Sequence, residues 1–110
     1  MDKNTEKKIF SKAEQILEKI NFNDDTFLIF GISTCKYCKK ALEYSKINSI
    51  QFKYYEMDKY YEIFIPILNK LAELNYKLNI DSSHRTFPVI FYNKKFLGGY
   101  SDLIKYKNNK

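Results

Sequence analysis

The run Thr26-Phe27-Leu28-Ile29-Phe30, closed by Gly31, constrains the fold more than any other stretch of this chain. It is too short for a helix, shows no polar alternation and is rich in strand-forming side chains. That pattern predicts a central strand buried on both faces. Ile32-Ser33-Thr34-Cys35 then reads as a short loop. A helix is predicted from about Lys36 to Asn48, with Cys38, Ala41, Leu42, Ser45 and Ile47 turned inward. Gln51 to Met57 reads as a second strand. Two strands joined through a helix must be parallel, with a right-handed crossover. The fold class is therefore α/β.

The remaining segments follow from periodicity and punctuation. Ile9, Phe10, Ala13, Ile16, Leu17 and Ile20 mark one face of a helix from Thr5 to Ile20, with Thr5 as its N-cap. Residues 21–25 form a turn cluster. Asp58 to about Leu78 reads as mostly helical, with Ile63, Ile67, Leu68, Leu71 and Leu74 on its apolar face. Pro66 cannot sit inside that helix, so it is expected to start the main helix after a separate turn. Residues 79–84 are a loop. Phe87 to Tyr92 is a third strand, Asn93-Lys94-Lys95 a hairpin turn, and Phe96-Leu97 a short fourth strand broken by Gly98-Gly99. A last helix is expected from Ser101 to Lys107. Pro88 suits a strand start or edge, or a cis peptide.

A chain of 110 residues with 45% hydrophobic content fits one domain, residues 1–110, with a packed core. No apolar run approaches the roughly 18 residues of a membrane span. The first residues lack a signal-peptide core. The expectation is a cytoplasmic monomer without a membrane partner. The formal net charge is +6, but Arg85 is the single arginine among 19 basic residues, and the lysines are scattered. Arginine is the residue suited to bidentate phosphate contacts. No arginine cluster or motif supports a nucleic-acid function.

The chain holds two cysteines, Cys35 and Cys38. They make one local site rather than a disulfide framework. Their placement, at a strand-to-helix junction inside a β-α-β unit, carries the chemistry. A sulfur at a helix N-terminus meets unsatisfied N–H groups and the positive end of the dipole, which favour thiolate over thiol. Lys36 and Lys39 add positive charge. Cys38 lies one turn further in on the same side, close enough for a disulfide after a small adjustment. The exposed sulfur attacks and the inner one resolves, so Cys35 is the nucleophile and Cys38 the resolving thiol. Half of a zinc site is the competing reading. It is short of donors, since His84 is the one other soft ligand. Two inert core cysteines would not explain a sulfur at the mouth of a helix.

Several motifs together resemble the glutaredoxin family, of the dithiol type. Cys35-Lys36-Tyr37-Cys38 is similar to the family's Cys-Pro-Tyr-Cys. Arg85-Thr86-Phe87-Pro88 resembles its Thr-Val-Pro stretch with a cis-proline, followed by the strand Val89-Ile90-Phe91. Gly98-Gly99-Tyr100-Ser101-Asp102-Leu103 resembles its Gly-Gly-x-x-Asp-Leu. The likeness spans about residues 8 to 107. Ordinary thioredoxin fits less well, because Trp-Cys-Gly-Pro-Cys is absent.

The resemblance implies a thioredoxin fold, a four-stranded mixed sheet flanked by helices, with a glutathione groove beside Cys35. It implies glutathione-binding roles for Tyr37, Thr86, Phe87, Pro88, Gly99, Tyr100, Ser101 and Asp102. The Phe87 backbone would pair with the cysteinyl unit of glutathione like an added strand. Gly98 and Gly99 would allow close backbone approach. Ser101 would open the last helix toward the γ-glutamyl carboxylate, and Asp102 would meet the ammonium. The implied activity is an enzyme's, glutathione-dependent thiol–disulfide exchange on protein disulfides and glutathionylated proteins. It would serve electron transport and cell redox homeostasis, with glutathione as co-substrate and no tightly bound cofactor or metal. The rival is a carrier in which two chains share a [2Fe-2S] cluster through Cys35 and two glutathiones. Two residues depart from the family. Lys36 replaces a proline that would preorganise the helix start. Ile32 stands where the family commonly has a cation for the glycine carboxylate of glutathione. Lys36, Arg85 or a lysine of the third helix is the candidate substitute. His84 reads as a solvated loop residue.

Overall fold

The structure, a computed structural model, describes residues 2–21 and 25–109. Helix α1 spans Lys3–Asn21, strand β1 Phe27–Gly31, helix α2 Lys36–Ile47 and strand β2 Phe52–Glu56. A 3-10 segment, Asp58–Ile63, leads into helix α3, Phe64–Leu74, and a 3-10 turn, Tyr76–Leu78, follows it. Strands β3, Val89–Tyr92, and β4, Lys95–Gly98, form a hairpin before helix α4, Tyr100–Asn108. The turn residues 22–24 lie outside the described residues.

The strands form one mixed sheet in the order β2-β1-β3-β4. β1 runs parallel to β2 and antiparallel to β3, and β3 is antiparallel to β4. All of β1 is buried, as its unbroken apolar run requires. One core cluster joins α1 and α3 to the sheet through Ile9, Ile16, Phe30, Ile67, Leu71 and Phe91. The other joins α2 and α4 to the opposite face through Phe27, Ile29, Ala41, Ile90 and Leu103. This is the thioredoxin fold, with β1 clamped between two helical layers. No helix among the described residues is long and apolar enough to cross a membrane.

Several local expectations are corrected. Asp2, not Thr5, caps α1: its Oδ1 accepts the Thr5 N–H at 2.8 Å. Helical periodicity put Phe10, Ile47 and Leu74 inward. They are instead 43%, 80% and 37% exposed, because each lies at the margin of its helix's apolar stripe or beyond its neighbours. Pro66 is the third residue of α3, where its missing N–H has no partner to lose. The hairpin turn is Asn93-Lys94, both at positive φ (55° and 64°), the twist that two-residue hairpins favour, and Lys95 already belongs to β4. α4 opens at Tyr100 with Gly99 as N-cap, so Ser101 is its second residue rather than its first.

Candidate active site

Ile32-Ser33-Thr34 carries the chain from the end of β1 to the mouth of α2. Two ties hold this loop. The Met57 N–H donates to the Gly31 carbonyl at 2.7 Å. The Asp58 carboxylate accepts both the Ser33 N–H (2.8 Å) and the Ser33 hydroxyl (2.7 Å). Those bonds hold the Asp58 carboxyl below its ordinary range, and Asp58 in turn raises neighbouring Glu56.

Cys35 is the N-cap of α2, in extended backbone conformation (φ −90°, ψ 117°). Its sulfur accepts the Cys38 N–H at 3.1 Å, so it takes one of the orphan donors that Ser or Asp takes at other helix starts. On the other side, Cys35 Sγ lies 3.4 Å from the Phe87 carbonyl oxygen. Both cysteines are free thiols, Cys35 partly buried and Cys38 wholly buried. Burial, foremost, and the hydrogen bond with Cys35 push the Cys38 thiol up to about 12. The Ile32 backbone and the Tyr54 hydroxyl pull the other way.

The Phe87–Pro88 peptide is cis. The Phe87 ring packs on Phe64 of α3 at 4.0 Å between centroids, anchoring the segment that faces Cys35. Past β4 the chain bends through Gly98, whose φ of 132° disfavours any side chain. A Cβ at Gly98 would also strike the Asp102 carboxylate. That carboxylate accepts the Gly99 N–H at 2.8 Å and fixes the start of α4.

The α4 start and the Phe87–Pro88 segment enclose a cleft of about 400 Å³. Tyr37, Thr86, Phe87, Pro88, Gly99, Tyr100, Ser101 and Asp102 all line it. Tyr37 is half exposed, with its ring 5.9 Å from that of Tyr100. Lys36 and Arg85 are exposed and are not among the lining residues. A larger groove of about 890 Å³ runs between α1 and α3 along Phe10 and Pro66, away from both cysteines.

Sequence reasoning passed over two residues. His84 is not a solvated loop residue. It lines the cleft, its Nε2 lies 3.3 Å from the Pro88 carbonyl, and its ring meets Phe96 edge-on. A lone His in a polar loop gave no sign of this. Tyr54 reaches the cysteines from β2. A Cβ on Gly31 would collide with the Tyr54 hydroxyl and lie 2.9 Å from Cys38 Sγ.

A thioredoxin fold that places one sulfur at a helix N-cap and a second, buried, one turn behind defines a dithiol redox protein. The comparisons narrow that class. The glutaredoxin family model matches residues 27–97. A probable glutaredoxin of Acanthamoeba polyphaga mimivirus is 34% identical over 92 residues, covering 83% of this chain and 87% of the relative. Glutaredoxin-2 of Schizosaccharomyces pombe is 29% identical over 99 residues, 90% and 82% of the two chains. Among solved structures, a buckwheat glutaredoxin–glutathione complex shares the fold with a TM-score of 0.64 at 17% identity, covering 99% of this chain and 87% of that one. The chain belongs to the glutaredoxin family. That family places it among the thiol–disulfide oxidoreductases.

Proposed function

We propose that this single-domain protein is a glutathione-dependent thiol–disulfide oxidoreductase that reduces glutathionylated proteins and protein disulfides. One observation carries the reading. The residues expected to hold glutathione line a single cleft, and one of them, Phe87, lies with its carbonyl oxygen 3.4 Å from Cys35 Sγ. The solved glutathione complex of buckwheat glutaredoxin, on the same fold, supports the choice of thiol.

In this reading the γ-glutamyl carboxylate meets the N–H groups at the start of α4, where the helix dipole favours an anion. The γ-glutamyl ammonium meets Asp102, whose second oxygen is left over from the bond to Gly99. The cysteinyl backbone pairs along Phe87. Tyr37 and Tyr100 wall the cleft, and Arg85 or Lys36 takes the glycine carboxylate from its rim.

The Cys35 thiolate attacks the glutathione sulfur of a glutathionylated protein. The Cys35–glutathione disulfide forms, and the target leaves as its thiolate, which takes a proton. A second glutathione thiolate attacks that mixed disulfide, releasing oxidised glutathione and restoring Cys35. With a protein disulfide the first adduct is protein-bound, and Cys38 resolves it by closing the Cys35–Cys38 disulfide. Two thiols that must return to the reduced state suit a reducing compartment, and we place the protein in the cytoplasm.

The test is glutathione-coupled reduction of a glutathionylated peptide. Cys35→Ser should fall to the uncatalysed background. Cys38→Ser should keep turnover with that substrate and lose it with a protein disulfide. A wild-type protein inactive with glutathione would overturn the reading. Visible absorption of protein purified without oxygen would then point to the cluster-carrying alternative.

A further inference from the structure

The resolving sulfur has a difficulty that the mechanism above leaves open. Cys38 is wholly buried and its surroundings oppose ionisation, yet it must attack as a thiolate. Its own N–H already serves the Cys35 sulfur.

The sheet brings one hydroxyl to it. In the parallel pairing of β1 and β2, Tyr54 is opposite Ile29. Ile29 and Gly31, two residues apart, present the same face of the sheet, the one covered by α2. Gly31 has no side chain, and the space a Cβ would occupy is where the Tyr54 hydroxyl and Cys38 Sγ converge. A methyl group there would overlap both the Tyr54 Oη and its ring carbon, and would lie 2.9 Å from the sulfur. The glycine therefore makes a slot through which the phenol reaches the underside of α2's first turn.

We propose that Tyr54 is a positioning residue for the resolving step, its hydroxyl donating a hydrogen bond to the Cys38 sulfur as that sulfur becomes the attacking thiolate. The proposal rests on the reading of Cys38 as resolving thiol. In the step itself, Cys38–SH gives its proton to solvent. The Cys38–Cys35 bond forms, and the bond from Cys35 to the bound thiol breaks. The leaving thiolate carries off the electron pair and takes up a proton. Tyr54 keeps its own proton throughout. Burial, Cys38, Cys35 and Glu56 all hold the phenol in its neutral form, pushed up to about 12, so it stays a donor. Cys35 and Tyr54 are the titratable groups that bear on the Cys38 charge, and the Ile32 backbone favours the thiolate beside Tyr54.

The experiment mixes reduced protein with oxidised glutathione and follows, by acid quench and mass spectrometry, the loss of glutathione from the Cys35 adduct. Wild type is compared with Tyr54→Phe, Tyr54→Leu, Gly31→Ala and Cys38→Ser. Losing one hydrogen bond to a charged sulfur should slow release in Tyr54→Phe about tenfold. The rising pH–rate profile should be displaced upward by about one pH unit. Gly31→Ala, which keeps the phenol but fills its slot, should also slow release. Release in Tyr54→Phe at the wild-type rate, with only Tyr54→Leu impaired, would make Tyr54 a packing residue and overturn the proposal. If wild type releases glutathione no faster than Cys38→Ser, the resolving role itself fails and the proposal falls with it.

Discussion

Ser45 lies wholly inside the protein on α2, and its hydroxyl has no hydrogen-bond partner among the described residues. An unsatisfied buried hydroxyl costs about 1–3 kcal/mol, and serine is also a weaker helix former than alanine. Ser45→Ala should therefore stabilise the protein by about 1 kcal/mol, read as a higher urea midpoint at unchanged slope. Single residues also mark where the sequence was legible. Cys35 was readable as a helix-start sulfur, because a polar atom ahead of a helix has few other uses there. His84 was not readable, because its place depends on how the chain folds back past Pro88 to bring Gly99 beside it. Tyr54 reads in sequence as one more aromatic in a strand. Its reach toward Cys38 depends on the β1–β2 register and on the missing side chain of Gly31.

At the level of elements, the loop that presents Cys35 is held from outside by the first residue of the 3-10 segment. Asp58 accepts two hydrogen bonds from Ser33, and these depress its carboxyl below the ordinary value of 3.8. A depressed acid stabilises the fold fully above its unfolded value and loses that contribution as pH falls through the folded one. The advantage in urea midpoint of wild type over Asp58→Ala should shrink as pH falls below the ordinary carboxyl value of 3.8. A difference that stays constant down to the acid limit would show that the tie does not depend on the carboxylate charge. The elements were the most legible level of this fold. β1 follows from an unbroken apolar run that is buried throughout, and α2 from a periodicity that buries one face. Helix margins were less so: periodicity identifies Phe10, Ile47 and Leu74 as apolar, but only the neighbours decide whether anything covers them.

Across the whole molecule, the family match begins at Phe27, yet α1 lies before it and supplies Ile9, Ala13, Ile16 and Ile20 to the core. Ile16 shares its cluster with Phe30 of β1 and with Phe64 and Phe87, the pair that backs the Cys35-facing segment. Ile16→Ala should cost about 2–5 kcal/mol, a large share of the roughly 5–15 kcal/mol of a domain this size. It should unfold in one transition, with the thiol chemistry of the folded fraction intact. An independently melting α1 would appear as two transitions. The order of elements made the mixed sheet legible, because a β-α-β unit followed by a hairpin leaves few sheets to build. The Gly31 slot belongs to this scale as well, since it links positions far apart in the chain. A lineage that gains a side chain at position 31 must give up the tyrosine at 54 or its seat, and one that keeps Tyr54 keeps the glycine. The constraint runs one way: position 54 can change while Gly31 stays, but a side chain at position 31 displaces the phenol.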